Sequence, residues 1–251
     1  MALVLSEITG RTAFISMNRP EVYNALTIDL IEALIAAFES VEKNQEIDFI
    51  VFKGEGKGFC AGLDLQWAQT IQGDHVVELV ENYFNRLTKV IHLCSKPVIC
   101  LLHGPASGAG ASLALACDLI FASHNGSFAF PFLSLGLQPD TGASYYLKQR
   151  VGYHQAFEWL LEGKKLTAQE ALDNKLIQKL FTDDDVMHDY LAFYLKSLSQ
   201  LQAGAGTSLK SLLIGKADFE ETLKKEAIQQ ALAVKGGMLK VKIEEFFKRN
   251  K

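Results

Sequence analysis

The spacing of apolar positions changes character along this chain. Up to about residue 155, short apolar runs alternate with glycine-containing and polar turns; beyond it, apolar residues recur at steps of three and four. Thr12 to Met17 alternates as a half-buried strand does, and Thr27 stands before a run in which Leu30, Ile31, Leu34, Ile35, Phe38 and Val41 share one helical face. Phe49 to Phe52 predicts a short buried strand. A helical pattern then runs from about Asp74 to Leu93, followed by a strand over Val98 to Leu102. The spacing predicts a helix over Ala109 to Cys117 leading into a strand over Leu119 to Ala122. Phe128, Phe130 and Phe132 alternate like a strand that Pro131 confines to an edge or an end. From about Gln155 the signals are helical: Thr167 to Glu170 reads as a capping box, and amphipathic runs cover roughly 184–199, 206–214, 217–234 and 238–249.

Strand and helix signals recur without a linker, which predicts an α/β protein with a layered or spiral core and an all-helical C-terminal quarter. We divide the chain into a core over residues 1–195 that carries the site and a helical extension over residues 196–251. The stretch from Pro97 to Ala122 is apolar over about the length of a membrane span. His103, Gly104, Pro105, Ser107, Gly108 and Gly110 interrupt it, so a strand, a glycine turn and a buried helix explain it better.

With 49% hydrophobic and 22% charged residues, the 251-residue chain has the composition of a globular protein that buries a large core. A net charge of −4 gives no overall basic field to gather nucleic acid or an anionic membrane, so an anionic ligand needs local cations. Cys60, Cys94, Cys100 and Cys117 show no C-x-x-C pairing, which points to reduced core thiols and to no metal site. The N-terminal residues lack the pattern of a secretion signal, and a cytoplasmic location is the expectation that follows.

Two small-residue turns leave apolar strand patterns: Gly58-Phe59-Cys60-Ala61-Gly62-Leu63-Asp64-Leu65, and Gly104-Pro105-Ala106-Ser107-Gly108-Ala109-Gly110. Such turns bring bare backbone N–H groups close to a ligand. Two of them can share one oxygen, as stabilising the oxyanion of a thioester enolate or tetrahedral adduct requires.

These turns, together with Asn18 to Leu26, His103 to Leu119, Phe128 to Gly142 and Gly163 to Ala171, resemble the crotonase (enoyl-CoA hydratase/isomerase) superfamily, in order and over nearly the whole chain. The resemblance implies a spiral of ββα units, a helical C-terminal trimerisation region, a homotrimer or a hexamer built as a dimer of trimers, and acyl-CoA thioester substrates. Coenzyme A is then part of the substrate, and no separate cofactor is expected. The family pattern puts the oxyanion N–H groups on Leu63 and on Ala109, where many relatives have glycine. It assigns substrate contacts to Ala61, Leu63, Asp64, Leu65, Gly108, Ala109, Phe132 and Pro139, and the adenine end of CoA to Val22, Tyr23 and Ala25, with Tyr23 standing where many relatives carry a cation.

The departures from the pattern are informative. Ser112 and Phe132 stand where the hydratases carry their two catalytic glutamates. Adding water across a double bond needs an acid and a base, and an unactivated serine hydroxyl is a poor base. Leu137 to Ser144 instead resembles the isomerase branch, in which one Asp or Glu shuttles a proton; here that residue is Asp140, walled by Phe128, Phe130, Phe132, Leu135 and Leu137. The expected reaction moves a Δ3 double bond to Δ2. A hydratase with an unusual acid–base set, another crotonase reaction, and a silent acyl-CoA binder stay open, as does Asp140 merely capping the next helix. Asp64 reads as a turn-stabilising group, as do Asp118 and His103. Arg19, Lys53, Lys57 and the lysines of the last helix are the cations available to the CoA phosphates.

Overall fold

The computed structural model describes residues 2–69, 75–214 and 216–249. Its strands are β1 (Val4–Thr9), β2 (Thr12–Met17), β3 (Phe49–Gly54), β4 (Val98–Leu102), β5 (Pro105–Ser107), β6 (Leu119–Ser123), β7 (Ser127–Ala129), β8 (Lys165–Thr167) and β9 (Lys179–Phe181). A larger sheet has the order β1-β2-β3-β4-β6-β9, and a smaller one the order β5-β7-β8. β1 and β2 pair antiparallel, and the other pairs of the larger sheet are parallel. Successive units thus give one strand to each sheet before a helix follows: β4 and β5 lead into α5 (Ala109–Ala116) in this way. This is the α/β spiral expected from the sequence.

The central strands are apolar throughout because both of their faces are covered. Ile50, Phe52, Val98, Cys100 and Leu102 face the main core with Leu30, Leu34 and Phe38 of α1 (Ile28–Lys43). Val51, Ile99 and Leu101 pack on the opposite face against Met187 and Leu191 of α8 (Asp184–Leu198). Burying one such side chain contributes about 1.5–3 kcal/mol. Edge-to-face contacts run from Phe38 to Phe52 and on to Phe59, each with ring centroids 5.4 Å apart, and seat the first glycine turn on the core. All four cysteines are buried free thiols.

Several elements differ from the expectation. β1 lies on the sheet edge with most of its positions exposed, so it carries no alternating signal. The alternation at Phe128, Phe130 and Phe132 is a strand only over β7; Pro131 has no N–H to donate, and the chain turns into a 3₁₀ turn over Leu133–Leu135 with Phe132 at its start. The helix expected over about 74–93 consists of α3 (Val76–Leu79), a single π turn over Val80–Phe84 and α4 (Asn85–His92), while Asp74 lies outside the described residues. Helix α6 spans Ala143–Glu162, well before Gln155, and Gly152 (φ 78°, ψ 171°) breaks it, so that the continuous helical signal begins only after the break. The capping box at Thr167 forms and opens α7 (Ala168–Asp173). The short α2 (Leu65–Ala68) follows the first glycine turn.

The four C-terminal runs are α8, α9 (Ala205–Leu213), α10 (Lys216–Lys235) and α11 (Met238–Arg249). Helix α8 runs across positions 195 and 196. Helix α10 lies against the core: Phe219 and Leu223 join the main apolar cluster, and the Leu223 carbonyl accepts from Asn85 Nδ2 at 3.0 Å. No described helix is long and apolar enough to cross a membrane, and the apolar stretch 97–122 divides into β4, β5, α5 and β6.

Candidate active site

Two isolated parallel bridges join the glycine turns to their neighbours. In the first, Gly62 C=O accepts from Leu26 N–H at 2.7 Å and Leu26 C=O accepts from Asp64 N–H at 3.0 Å, an arrangement that turns the N–H of Leu63 to the other side. In the second, Cys60 N–H donates to Pro105 C=O and Cys60 C=O accepts from Ser107 N–H at 2.9 Å. The approach requires glycine: a Cβ on Gly62 (φ 84°) would stand 2.4 Å from the Ser107 carbonyl oxygen and 3.4 Å from Ala109 N. Ala109 opens α5, whose first N–H groups have no intrahelical acceptor. Among the described residues, neither the Leu63 nor the Ala109 N–H finds an acceptor. Both residues line a cavity of about 330 Å³ with mostly apolar walls.

The first turn is held from behind by Asn24. This residue is fully buried with φ 56°; its Nδ2 donates to the carbonyls of Glu55, Gly58 and Phe59 at 2.9–3.1 Å, and its Oδ1 accepts from Arg19 N–H. Asp64 has the structural role expected of it: Oδ1 accepts from the N–H groups of Gln66 and Trp67 and caps α2, while Oδ2 pairs with Arg19 Nη1 at 3.0 Å. That pairing corrects the reading of Arg19 as a surface cation for phosphate, because the guanidinium is turned inward onto Asp64 and the Ala25 carbonyl. Lys53 likewise pairs with Glu55 at 3.0 Å. Asp118 accepts from Val98 N–H and from Lys210 Nζ, each at 2.7 Å, and the half-buried His103 places Nε2 3.1 Å from the Gly56 carbonyl oxygen, so both stabilise local structure.

Asp140 sits in the cavity wall on a strained turn. Thr141 (φ 57°) and Gly142 (φ 88°) are both left-handed, a conformation that costs a β-branched residue about 1–3 kcal/mol and persists only where its surroundings enforce it. Helix α10 enforces it. Gln230 accepts from Gln138 N–H through Oε1 at 2.7 Å and donates from Nε2 to Asp140 Oδ2 at 2.6 Å. One turn earlier, Glu226 accepts from Gly142 N–H, Ser144 N–H and Ser144 Oγ at 2.7, 2.9 and 2.6 Å. Glu226 therefore caps α6, and the Asp140 carboxylate accepts instead from Thr141 and Gln230. Asp140 Oδ1 accepts from Thr141 Oγ1 at 2.9 Å. Burial raises the Asp140 carboxyl to about 6 against the opposing pull of its two donors, and it raises Glu226 to about 8, with the Asp140 charge adding to the rise.

At the two positions where hydratases would carry glutamate, Ser112 is fully buried and its Oγ donates to the carbonyls of Gly108 and Asp140, each at 3.3 Å, while Phe132 lines the cavity. Of the residues expected at the site, Ala61, Leu63, Leu65, Gly108, Ala109, Phe132 and Asp140 line this cavity. Asp64 and Pro139 stand outside its lining. Val22 and Tyr23 lie outside its lining on an exposed 3₁₀ turn, which is tied to the site where the Tyr23 carbonyl accepts from Ala61 N–H at 2.8 Å, and Ala25 is buried beside Arg19. Sequence reasoning missed the contribution of the last two helices: Gln230, Val234, Leu239 and Phe246 also line the cavity. One signal was available. Glu226 and Gln230 are polar residues on the same stripe of α10 as Phe219, Leu223, Ala227 and Ala231, all of them buried.

A family model described as enoyl-CoA hydratase/isomerase matches residues 7–244. The chain is 32% identical over 192 residues to 1,2-epoxyphenylacetyl-CoA isomerase of Escherichia coli (strain K12), covering 75% of this chain and 73% of that protein. It is 34% identical over 186 residues to a probable enoyl-CoA hydratase of Rhodobacter capsulatus, covering 74% and 71%. Among solved structures, an enoyl-CoA hydratase from Bacillus halodurans superposes with a TM-score of 0.91 at 29% identity, covering 97% of this chain and 100% of that one. With a match over almost its whole length and the fold to go with it, the chain belongs to the enoyl-CoA hydratase/isomerase family.

Proposed function

We propose that this protein is an acyl-CoA isomerase that moves a carbon–carbon double bond from the Δ3 to the Δ2 position of an enoyl thioester. One observation carries the reading: among the described residues, Asp140 is the only carboxylate lining the cavity into which the unpaired Leu63 and Ala109 amides open. Hydration needs two acid–base groups, whereas an allylic proton shift needs one that gives back what it takes. The thioester carbonyl oxygen sits between the two N–H groups. Asp140 removes a proton from C2, the electron pair spreads into a dienolate whose oxygen the amides hold, and the same carboxyl delivers the proton to C4, leaving the double bond between C2 and C3. Each donor to such an oxyanion is worth about 10²–10³ in rate. A base raised to about 6 by burial is ionised at neutral pH and basic enough for the task.

The acyl group fits the apolar walls, and the coenzyme belongs to the substrate, with no further cofactor in the scheme. The adenine end extends toward Val22, Tyr23 and Ala25, and with Arg19, Lys53 and Lys242 engaged elsewhere its phosphates fall to Lys57 and to Lys240 and Lys248 of α11. In keeping with the family, the working assembly is a homotrimer or a dimer of trimers. Incubation with a 3-enoyl-CoA and with crotonyl-CoA, each followed by absorbance and mass, tests the reading. Conversion of the 3-enoyl thioester, abolished in Asp140→Asn with acyl-CoA binding retained, is expected. Hydration of crotonyl-CoA without isomerisation, or binding without any turnover, overturns it.

A further inference from the structure

Helix α10 reaches the turn that carries Asp140 from a position 90 residues downstream. Its side chains at 226 and 230, one helical turn apart, bracket that turn: Glu226 takes the N–H groups of Gly142 and Ser144, and Gln230 takes the N–H of Gln138. The bond from Gln138 N–H has a chemical consequence. A backbone N–H can only donate, so the Gln230 oxygen must face Gln138, and the Gln230 NH₂ is thereby aimed at Asp140 Oδ2. Gln230 is itself buried and lines the cavity. We propose that Gln230 is the positioning residue of the reaction: its amide, oriented by the Gln138 backbone, fixes the rotation of the Asp140 carboxylate and steadies its anionic form, so that helix α10 completes the acid–base site.

This inference rests on Asp140 as the proton carrier. The surroundings leave few other groups to fill the role. Thr141 Oγ1 donates to Oδ1, on the same segment as Asp140, and Ser112 of α5 reaches only the Asp140 carbonyl. The titratable groups near Asp140 among the described residues are Glu226 on α10, which feels the Asp140 charge, and Lys165 of β8, which shares the cavity lining; the walls from α3, the π turn and α11 present Val76, Leu79, Val80, Phe84, Leu239 and Phe246. Among the described residues, Gln230 is thus the one neutral donor that reaches the Asp140 carboxylate from outside its own turn, and losing it raises the proton affinity of the carboxylate.

The test uses Gln230→Met, which keeps the shape and removes both hydrogen bonds, and Gln230→Glu, which keeps an acceptor for Gln138 N–H but sets an oxygen against Asp140 Oδ2. With a 3-enoyl-CoA, Gln230→Met should lower kcat about 10–100-fold with KM changed less than about threefold, the scale expected when a reacting group is misaligned. The acidic limb of kcat/KM should move to higher pH in Gln230→Met and further in Gln230→Glu. Carbon NMR of the aspartate carboxyls, assigned with Asp140→Asn, reads the same midpoint without turnover and should move upward in both variants. Should Gln230→Met fail to fold, the near-isosteric Gln230→Glu carries the test alone. Wild-type kcat with an unmoved midpoint overturns the proposal, and so does a fall in thermal stability and kcat with the midpoint unmoved, the mark of a merely structural role. If Asp140→Asn turns over the 3-enoyl thioester as wild type does, the isomerase reading falls, while the NMR midpoint still judges whether Gln230 controls Asp140.

Discussion

Glu226 accepts hydrogen bonds from the backbone N–H groups of Gly142 and Ser144 at 2.7 and 2.9 Å, so a carboxyl on α10 caps α6 across 84 positions of sequence. In Glu226→Ala those N–H groups lose their acceptor in a dry interior, at a cost of about 1–3 kcal/mol. The thermal midpoint should fall by several degrees, and turnover should fall with it as the strained Thr141–Gly142 turn relaxes. A melting curve superimposable on wild type would mean that water or another side chain serves the cap.

The pH profile follows from Asp140. A base must be ionised to act, and burial raises this carboxyl to about 6. The kcat/KM for a 3-enoyl-CoA should therefore be flat above roughly pH 7 and fall about tenfold per pH unit well below 6. Initial rates between pH 4.5 and 8.5 in buffers of constant ionic strength give the midpoint, and a limb centred near 4 would assign the chemistry to a solvated acid instead.

The same shift bears on stability with the opposite sense. A carboxyl raised from 3.8 to about 6 on folding lends its full contribution below pH 3.8 and loses it as pH rises through 6, because the folded state then holds a charge that burial disfavours. Asp140→Asn removes that charge. The Asn oxygen can accept from Gln230, and the Thr141 hydroxyl can rotate to accept from its NH₂. The variant should be more stable than wild type at pH 7.5, by at most about 3 kcal/mol, and the advantage should shrink toward pH 5. Thermal melts at the two pH values check the sign.

Gly62→Ala tests the oxyanion pair without touching any acid. A methyl group 2.4 Å from the Ser107 carbonyl oxygen, at φ 84°, forces the two turns apart and spoils the alignment of the Leu63 and Ala109 amides. The expected loss in kcat is about 10²–10³, with CoA itself still bound. Unimpaired turnover would remove these amides from the mechanism.

Much of the fold was legible because its signals are local. The two-sided burial of β3 and β4, the Thr27 cap and the capping box at Thr167 each act within a few residues, and each appears where the sequence puts it. The glycine turns were legible because close backbone approach leaves no room for a Cβ. What escaped depends on distant partners. Nothing in the residues around Arg19 announces Asp64, 45 positions away, and the exposed edge strand β1 has no buried face to pattern its side chains. Asp140 lines the cavity with Phe132, Leu135 and Leu137 of its own stretch of sequence, whereas Gln230 and Glu226 gave no sign beyond their place on the apolar stripe of α10, because their partners are set only when that helix docks.

That long reach across the sequence sets an order of assembly. The sheets and the glycine turns are complete by residue 181, but the turn that carries Asp140 waits for residues 226 and 230 to arrive. Contacts so distant along the chain form slowly, because loop closure precedes any reward. Refolding should therefore recover far-ultraviolet ellipticity before it recovers turnover, and between the two the molecule is compact yet silent.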